Sequence, residues 1–520
     1  MTITWTPEKT VADGPAGMVA AQHVTAAQAG AAVLDAGGNA VDAAVTSALV
    51  LTVVEPWLSG IGGGGFLVRC DGGTGAVQAL DFNMVSPAGL DPAAYPLEAG
   101  RDGDWFDWPA VVDNRNLIGP LSICVPGAVA GLAEALCAHG TITWAEALAP
   151  AIAEAEAGFR VDWFAELCLA IDAPNLATDP GSAALYLPGG LPPRLPEGRD
   201  ALRLALPAKA ATLRRLATAG PGDFYTGQVA AALLADLAAR GAPLTAADFA
   251  GYAPEWVEPL RVAYRDAVFH AMPGLSGGPA FAATMARLAA DGAMTGPAPG
   301  AAHYAAFARA VRAAYAERLT HAGHAARAGI DAGCTSHVSV VDGDGTAVAL
   351  TNTLLSRFGS KVTSPATGVL MNNGVMWFDP RPGQPNCIAP AVKPLANMCP
   401  MVAELPCRAV MAMGAAGGRQ IMPTMAQIAS FMVDFGMDAG KALRQPRIDA
   451  SGPTVRVDAR APDGAAGHIA RDQDVEVVED TLYPVQFAIP SVALRHPRGP
   501  AQGMVHPNHP WAAAVAGGRA

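Results

Sequence analysis

Gly333-Cys334-Thr335-Ser336-His337-Val338-Ser339-Val340-Val341 is the stretch on which the reading of this chain turns. Its β-branched residues predict a strand. Asp342-Gly343-Asp344-Gly345 then supplies a turn, and Ala347-Val348-Ala349-Leu350-Thr351 returns as a second strand, so the segment reads as a hairpin. Thr335 sits at its mouth. A threonine hydroxyl is a weak nucleophile without a base beside it. Freeing the α-amino group of Thr335 would supply one, because its unperturbed pKa of about 7.7–8.0 lies near working pH. That requires the backbone to be cut in front of Thr335, which the hydroxyl can start by attacking the Cys334 carbonyl. On these residues alone, a threonine entering a strand is also an ordinary strand residue.

Outward from the hairpin the texture differs on the two sides. Toward the N-terminus, His23 to Asp35 and Asn39 to Val54 read as helices, the first closed by Gly37-Gly38 and the second capped by Asn39. A glycine run, Gly60 to Gly65, leads into a short strand, Phe66 to Cys70, which pairs back through Ala76 to Asp81. Residues 126–330 read as mostly helical. Beyond the hairpin, Gly368 to Met371 and Ala409 to Met413 read as strands. The second ends at Gly414-Ala415-Ala416-Gly417-Gly418, and a helix begins near Ile421. Strands from both ends can share one core, which suits layered α/β packing better than two independent domains.

Composition bounds the possibilities. The 520 residues suffice for one large domain or a few average ones. The hydrophobic content of 51% comes largely from alanine, and Val41 to Val54, the longest apolar candidate, is interrupted by Asp42, Thr46, Ser47 and Thr52. It reads as a buried helix, too short and too polar to span a bilayer. The N-terminal residues lack the basic and apolar regions of a secretory signal. Eight sparse cysteines without zinc spacing point to a reduced, cytoplasmic protein. The net charge of −12 argues against nucleic acid as a partner. His321 and His324 are too few for a metal site.

Four blocks, in order along the chain, resemble the γ-glutamyltransferases and their relatives among the N-terminal nucleophile (Ntn) hydrolases. The first runs from Gly17-Met18-Val19-Ala20 through Gly37-Gly38-Asn39-Ala40-Val41-Asp42-Ala43-Ala44 to Ser59-Gly60-Ile61-Gly62-Gly63-Gly64-Gly65-Phe66, with the opening part similar to the family's first helices. The second, Val125-Pro126-Gly127-Ala128-Val129-Ala130-Gly131, is similar to a helix start. The third is Thr335 to Asp342 with Thr351-Asn352-Thr353, Phe358-Gly359 and Gly368 to Asn373. The fourth is Lys393-Pro394-Leu395, Met398-Cys399-Pro400 and Gly414 to Gly418. The resemblance implies a four-layer αββα sandwich and a proenzyme that cuts itself into residues 1–334, the large subunit, and 335–520, the small one. Together they form one domain, a heterodimer of fragments with further dimerisation left open. It also implies Thr335 as nucleophile, Thr353 as the second threonine that contacts it, and Gly417-Gly418 as the oxyanion hole. No metal or organic cofactor is expected.

Where the family binds a γ-glutamyl head group, this chain departs. The family arginine falls on Asn83, the asparagine after the second threonine on Leu355, a glutamine and an aspartate on Gly374 and Trp377, and a serine pair on Ala396 and Asn397. None of the six carries a charge. Each unmet charged hydrogen bond costs roughly 1.5–3 kcal/mol, so γ-glutamyl compounds are not the expected substrate. Asn83, Asn397, Arg357 and Trp377 are candidates to line a smaller or less polar acyl pocket. The function expected is hydrolysis of an amide of a small acid, oxamate for example, or of an N-acyl compound. A true γ-glutamyltransferase or glutathione hydrolase and a non-catalytic relative are the alternatives.

Three further readings bear on the site. Gly60 to Gly65 fits GxGxxG, but a strand follows it, so a diphosphate would find no helix N-terminus; a packed glycine turn is expected instead. Cys334 is an alternative nucleophile one position away. His337 is two residues along the strand from Thr335, on the same face, and is read as structural.

Overall fold

The computed structural model describes residues 8–101, 108–292, 294, 296–324, 334–482 and 486–517, excluding the Cys334 side chain. Two seven-stranded sheets carry the fold. In one, the nucleophile strand Cys334–Val341 lies centrally, between Gly17–Ala21 and Ala347–Leu355, which in turn pairs with Gly64–Cys70. In the other, Val410–Ala416 pairs with Ile489–Arg495 on one side and Met401–Glu404 on the other. All pairings within these two sheets are antiparallel, and each sheet takes strands from before and after residue 335.

Alternation along the nucleophile strand assigns its two faces. Val338 and Val340 pack with the helices Val24–Asp35 and Ala40–Val54 in one apolar core. Val341 faces the opposite way, into a core shared with Ala412 and Ala493 of the second sheet. A third core joins the second sheet to the helices Gly278–Ala290, Ala301–His321 and Ile421–Val433. Helix, sheet, sheet, helix is the resulting order. This is the αββα sandwich.

Helix Ala40–Val54 runs between helices and sheet, and all of its residues are buried. Most of its polar residues are satisfied, the Thr46 hydroxyl having no partner among the described residues. Asn39 and Asp42 form a capping box, Asp42 also accepts from the Thr141 hydroxyl at 2.6 Å, and Ser47 donates to the Ala26 carbonyl at 2.9 Å. The interrupted apolar run is therefore a core helix, and among the described residues no helix is long and apolar enough to cross a membrane.

Other expectations need correction. Gly17–Ala21 is a fully buried strand rather than part of an opening helix, because buried strands show no alternation to read. Gly368 to Met371 forms only isolated bridges, Thr363 with Leu370 and Gly62 with Met371. The mostly helical stretch before the hairpin also contributes three short strands, Glu255–Val257 and Leu260–Tyr264 at sheet edges and Ala267–Ala271 next to an edge.

Candidate active site

The pairing of the hairpin slips by one residue at its mouth. Cys334 pairs with Leu355 and Ser336 with Asn352, so Thr335 stands across from both Thr353 and Leu354. Such bulges re-aim side chains. Thr335 and Thr353 are both fully buried. By alternation they share the face of His337, which looks into the space between the sheets. The Thr353 hydroxyl accepts from the Leu355 amide at 2.8 Å and thereby holds Leu355 at φ +84°, a left-handed conformation that leucine rarely adopts.

His337 is a packing residue with satisfied nitrogens. Nδ1 lies 2.8 Å from the Thr351 hydroxyl and Nε2 3.0 Å from the Ser339 hydroxyl, which donates to the Ser491 carbonyl of the opposite sheet. Burial pushes its pKa down to about 3, so the ring is neutral. A Cβ on Gly414 would lie 2.3 Å from that ring, which is why the second sheet carries a glycine there. Three and four residues on come Gly417 at φ +137° and Gly418 at φ +61°, both in the region that favours glycine. They open the helix Ile421–Val433, whose N-terminal amides favour negative charge. Gln22, which follows the strand beside the nucleophile strand, donates to the Ile489 carbonyl, and Ile489 pairs with Ala416. One hydrogen bond thus ties the nucleophile sheet to the end of the glycine-bearing strand.

The glycine run Gly60 to Gly65 lies flush on the strand that carries Thr353. A Cβ on Gly63 would come within 2.0 Å of the Thr353 carbonyl oxygen, and one on Gly65 within 2.0 Å of that of Thr351. It is a packed glycine turn followed by strand Gly64–Cys70.

The six departing positions are all buried. Leu355, Trp377 and Ala396 belong to one apolar core between the sheets, with Met84, Cys124 and Met376. Gly374 lies against Cys124, whose Sγ would be 2.5 Å from an added Cβ. Asn83 is used by the fold: it donates to the Pro394 carbonyl at 3.1 Å and accepts from the Met84 amide at 2.9 Å. Trp377 Nε1 and Asn397 Nδ2 are buried donors without a hydrogen-bond partner among the described residues. Arg357 pairs with Asp172 at 2.6 Å, in the helix layer. Residues 325–333, which lead into the nucleophile, and the Cys334 side chain lie outside the described residues, as does any test of Cys334 as nucleophile. His324 contacts the Cys387 carbonyl, and among the described residues no group of side chains could hold a metal ion.

Two polar contacts escaped the sequence reading. Arg318, buried at the end of helix Ala301–His321, donates to Asn397 Oδ1 at 3.2 Å. Glu55, the residue that ends helix Ala40–Val54, accepts the Ser336 hydroxyl at 2.7 Å. A charged residue ending an otherwise apolar stretch is the signal that could have flagged Glu55; Arg318, beside Glu317 on a helix that also carries Arg309 and Arg312, offers no such signal.

Burial raises the Glu55 pKa to about 8 from an ordinary 4.5. Below pH 4.5 both folded and unfolded chains hold the proton, and Glu55 has no pH-dependent effect. Between 4.5 and about 8 the unfolded chain releases it while the folded one keeps it, so stability falls with rising pH. Glu55→Gln is therefore expected to raise Tm at pH 8, by on the order of a few kcal/mol of stability, and to leave it nearly unchanged at pH 4. Thermal unfolding at the two pH values checks this; an equal shift at both would contradict it.

The four layers, with a threonine at the bulged mouth of a central strand, are those of the N-terminal nucleophile hydrolase fold. Comparison with known proteins agrees. The family model described as gamma-glutamyltranspeptidase matches residues 26–330 and 320–489. The Acylase ACY 1 proenzyme of Pseudomonas sp. (strain V22) is 34% identical over 499 residues, covering 89% of this chain and 87% of that protein. The Glutathione hydrolase proenzyme of Bacillus subtilis (strain 168) is 28% identical over 493 residues, covering 85% and 81%. In structure, the cephalosporin acylase from Bacillus halodurans superposes with a TM-score of 0.86 at 24% identity, covering 100% of this chain and 99% of that one, which supports the fold. The chain belongs to the gamma-glutamyltranspeptidase family, and it is an amide-bond hydrolase.

Proposed function

We propose that this protein is a self-processing acylase that cuts itself before Thr335 and hydrolyses an amide whose acyl group is not γ-glutamyl. The observation that carries the reading is the bulge. It sets Thr335 opposite Thr353 in a buried space between the sheets, on the side where Gly414 meets His337. Thr335 Oγ attacks the substrate carbonyl, and its own freed amine takes the proton. The Gly417 and Gly418 amides receive the oxyanion; such donors are worth roughly 2.7–4 kcal/mol each. The oxyanion collapses, the C–N bond breaks and the amine leaves with the proton held by the Thr335 amine; water then hydrolyses the Thr335 ester and releases the acid. The likeness to an acylase proenzyme at 34% identity supports deacylation, and the uncharged residues at the six departing positions support a non-glutamyl acyl group.

Processing gives fragments 1–334 and 335–520, held together because each sheet takes strands from both. All cysteines with a described side chain are unpaired, in keeping with a reducing, cytoplasmic location. Intact-mass spectrometry tests the reading: two species with the cut at Cys334–Thr335 are expected. A single 52.9 kDa species in protein that nevertheless turns over an amide would sink it.

A further inference from the structure

Glu55 is costly where it stands. It ends helix Ala40–Val54, precedes Pro56 and is fully buried. Among the described residues no cation pairs with it, and its Oε1 has no hydrogen-bond partner. A buried carboxyl in that state lowers stability at neutral pH. Violations of this kind concentrate at functional sites. Among the described residues its carboxyl has one hydrogen bond, accepted from Ser336, the residue immediately after Thr335, at 2.7 Å. Ser336 in turn pairs across the bulge with Asn352, whose side-chain amide is also buried and without a partner among the described residues. The helix-facing side of the bulge is therefore polar and anchored at one point, while Thr335 looks the other way.

We propose that Glu55 is a positioning residue for self-cleavage: by accepting the Ser336 hydroxyl it fixes the amine side of the scissile bond, so that Thr335 Oγ faces the Cys334 carbonyl. The proposal rests on the reading that the chain cuts before Thr335. In that step Thr335 Oγ bonds to the Cys334 carbonyl carbon and the C–N bond breaks. The hydroxyl proton passes to the Thr335 nitrogen. Water then hydrolyses the ester, restoring the hydroxyl and leaving a Cys334 carboxylate. Glu55 touches none of the reacting atoms; it acts through Ser336.

Its charge matters as well as its bond. An ionised Glu55 would place a buried negative charge on Ser336, two residues from the Cys334 carbonyl on which the oxyanion forms, so cleavage should slow as Glu55 loses its proton, around pH 8. The groups facing it are Ser336 from the nucleophile strand and Cys168 from helix Trp163–Leu176, with Asp162, Asp172 and Arg357 acting on Cys168 from beyond. Burial raises the Cys168 thiol far above this range, and His337 lies on the other face of the strand. Lys209, bonded to the Thr52 carbonyl on the same helix, is lowered to about 8 and is the competing source of a pH effect.

The test follows cleavage of full-length precursor made by cell-free synthesis, over pH 6–10, by denaturing gel and mass. Wild type is expected to cleave and to slow above about pH 8. Glu55→Gln keeps an acceptor for Ser336 without charge, so it should cleave without the alkaline decline. Glu55→Ala and Ser336→Ala lose the bond and should cleave at least about tenfold more slowly. If Glu55→Ala does not fold, Ser336→Ala, which leaves the carboxyl in place, carries the comparison. Wild-type rates in Ser336→Ala, or an undiminished alkaline decline in Glu55→Gln, overturn the proposal alone. A wild-type chain that stays whole at every pH overturns self-cleavage and this proposal with it.

Discussion

Thr335→Ala is expected to yield a single 52.9 kDa chain with no measurable amidase activity. The substitution removes the hydroxyl that attacks Cys334 in processing and the substrate in turnover, so both readouts fall together. Loss of a nucleophile lowers kcat by on the order of 10⁴ or more. Cys334→Ala is the contrasting variant: in the assigned register Cys334 is only the acyl side of the cut, and cleavage should be largely intact. Electrophoresis and an amide-hydrolysis assay on both variants decide the matter. Loss of turnover in Cys334→Ala with Thr335→Ala spared would move the nucleophile one position.

Against γ-glutamyl-p-nitroanilide and glutathione, fully cleaved protein is expected to show kcat/KM at least about 10³ below that of an enzyme that keeps the head-group residues. The structure gives the reason in atoms. Asn83 spends its amide on Pro394 and Met84, while Leu355, Trp377 and Ala396 are part of an apolar core. An α-ammonium placed there has no carboxylate, because neither Gly374 nor Trp377 supplies one. A panel of N-acyl compounds and small acid amides should contain a better substrate. The measurement is kcat/KM on both sets with protein shown by mass to be cut. A value above about 10⁴ M⁻¹s⁻¹ on γ-glutamyl-p-nitroanilide would overturn this. Arg318, in contact with Asn397, would then be the first residue to examine as the source of the missing charge.

Much of this was legible in the chain. The helix Ala40–Val54 carries its own cap, Asn39, and its extent to Val54 was readable in the chain. The hairpin was announced by its Asp-Gly turn and β-branched runs. Gly17–Ala21 was not, since a strand buried on both faces has no period of two to display. The Glu55–Ser336 bond was not legible either, because it joins residues 281 positions apart and nothing local predicts such a partner.

Sequence by itself determined the layered α/β class and the threonine at the strand mouth, because turn chemistry and glycine spacing are local properties, while the αββα order and the family followed from the resemblance of four motif blocks. It also showed that the six positions matched by resemblance to the family's head-group residues carry no charge, since side-chain identity needs no coordinates. Only the tertiary structure decided what those residues do instead. Whether Asn83 faces a ligand or clamps a loop, and whether His337 titrates or packs, depends on neighbours brought in from distant strands. The one-residue slip that sets Thr335 against Thr353 is likewise a property of two paired strands, and neither strand encodes it alone.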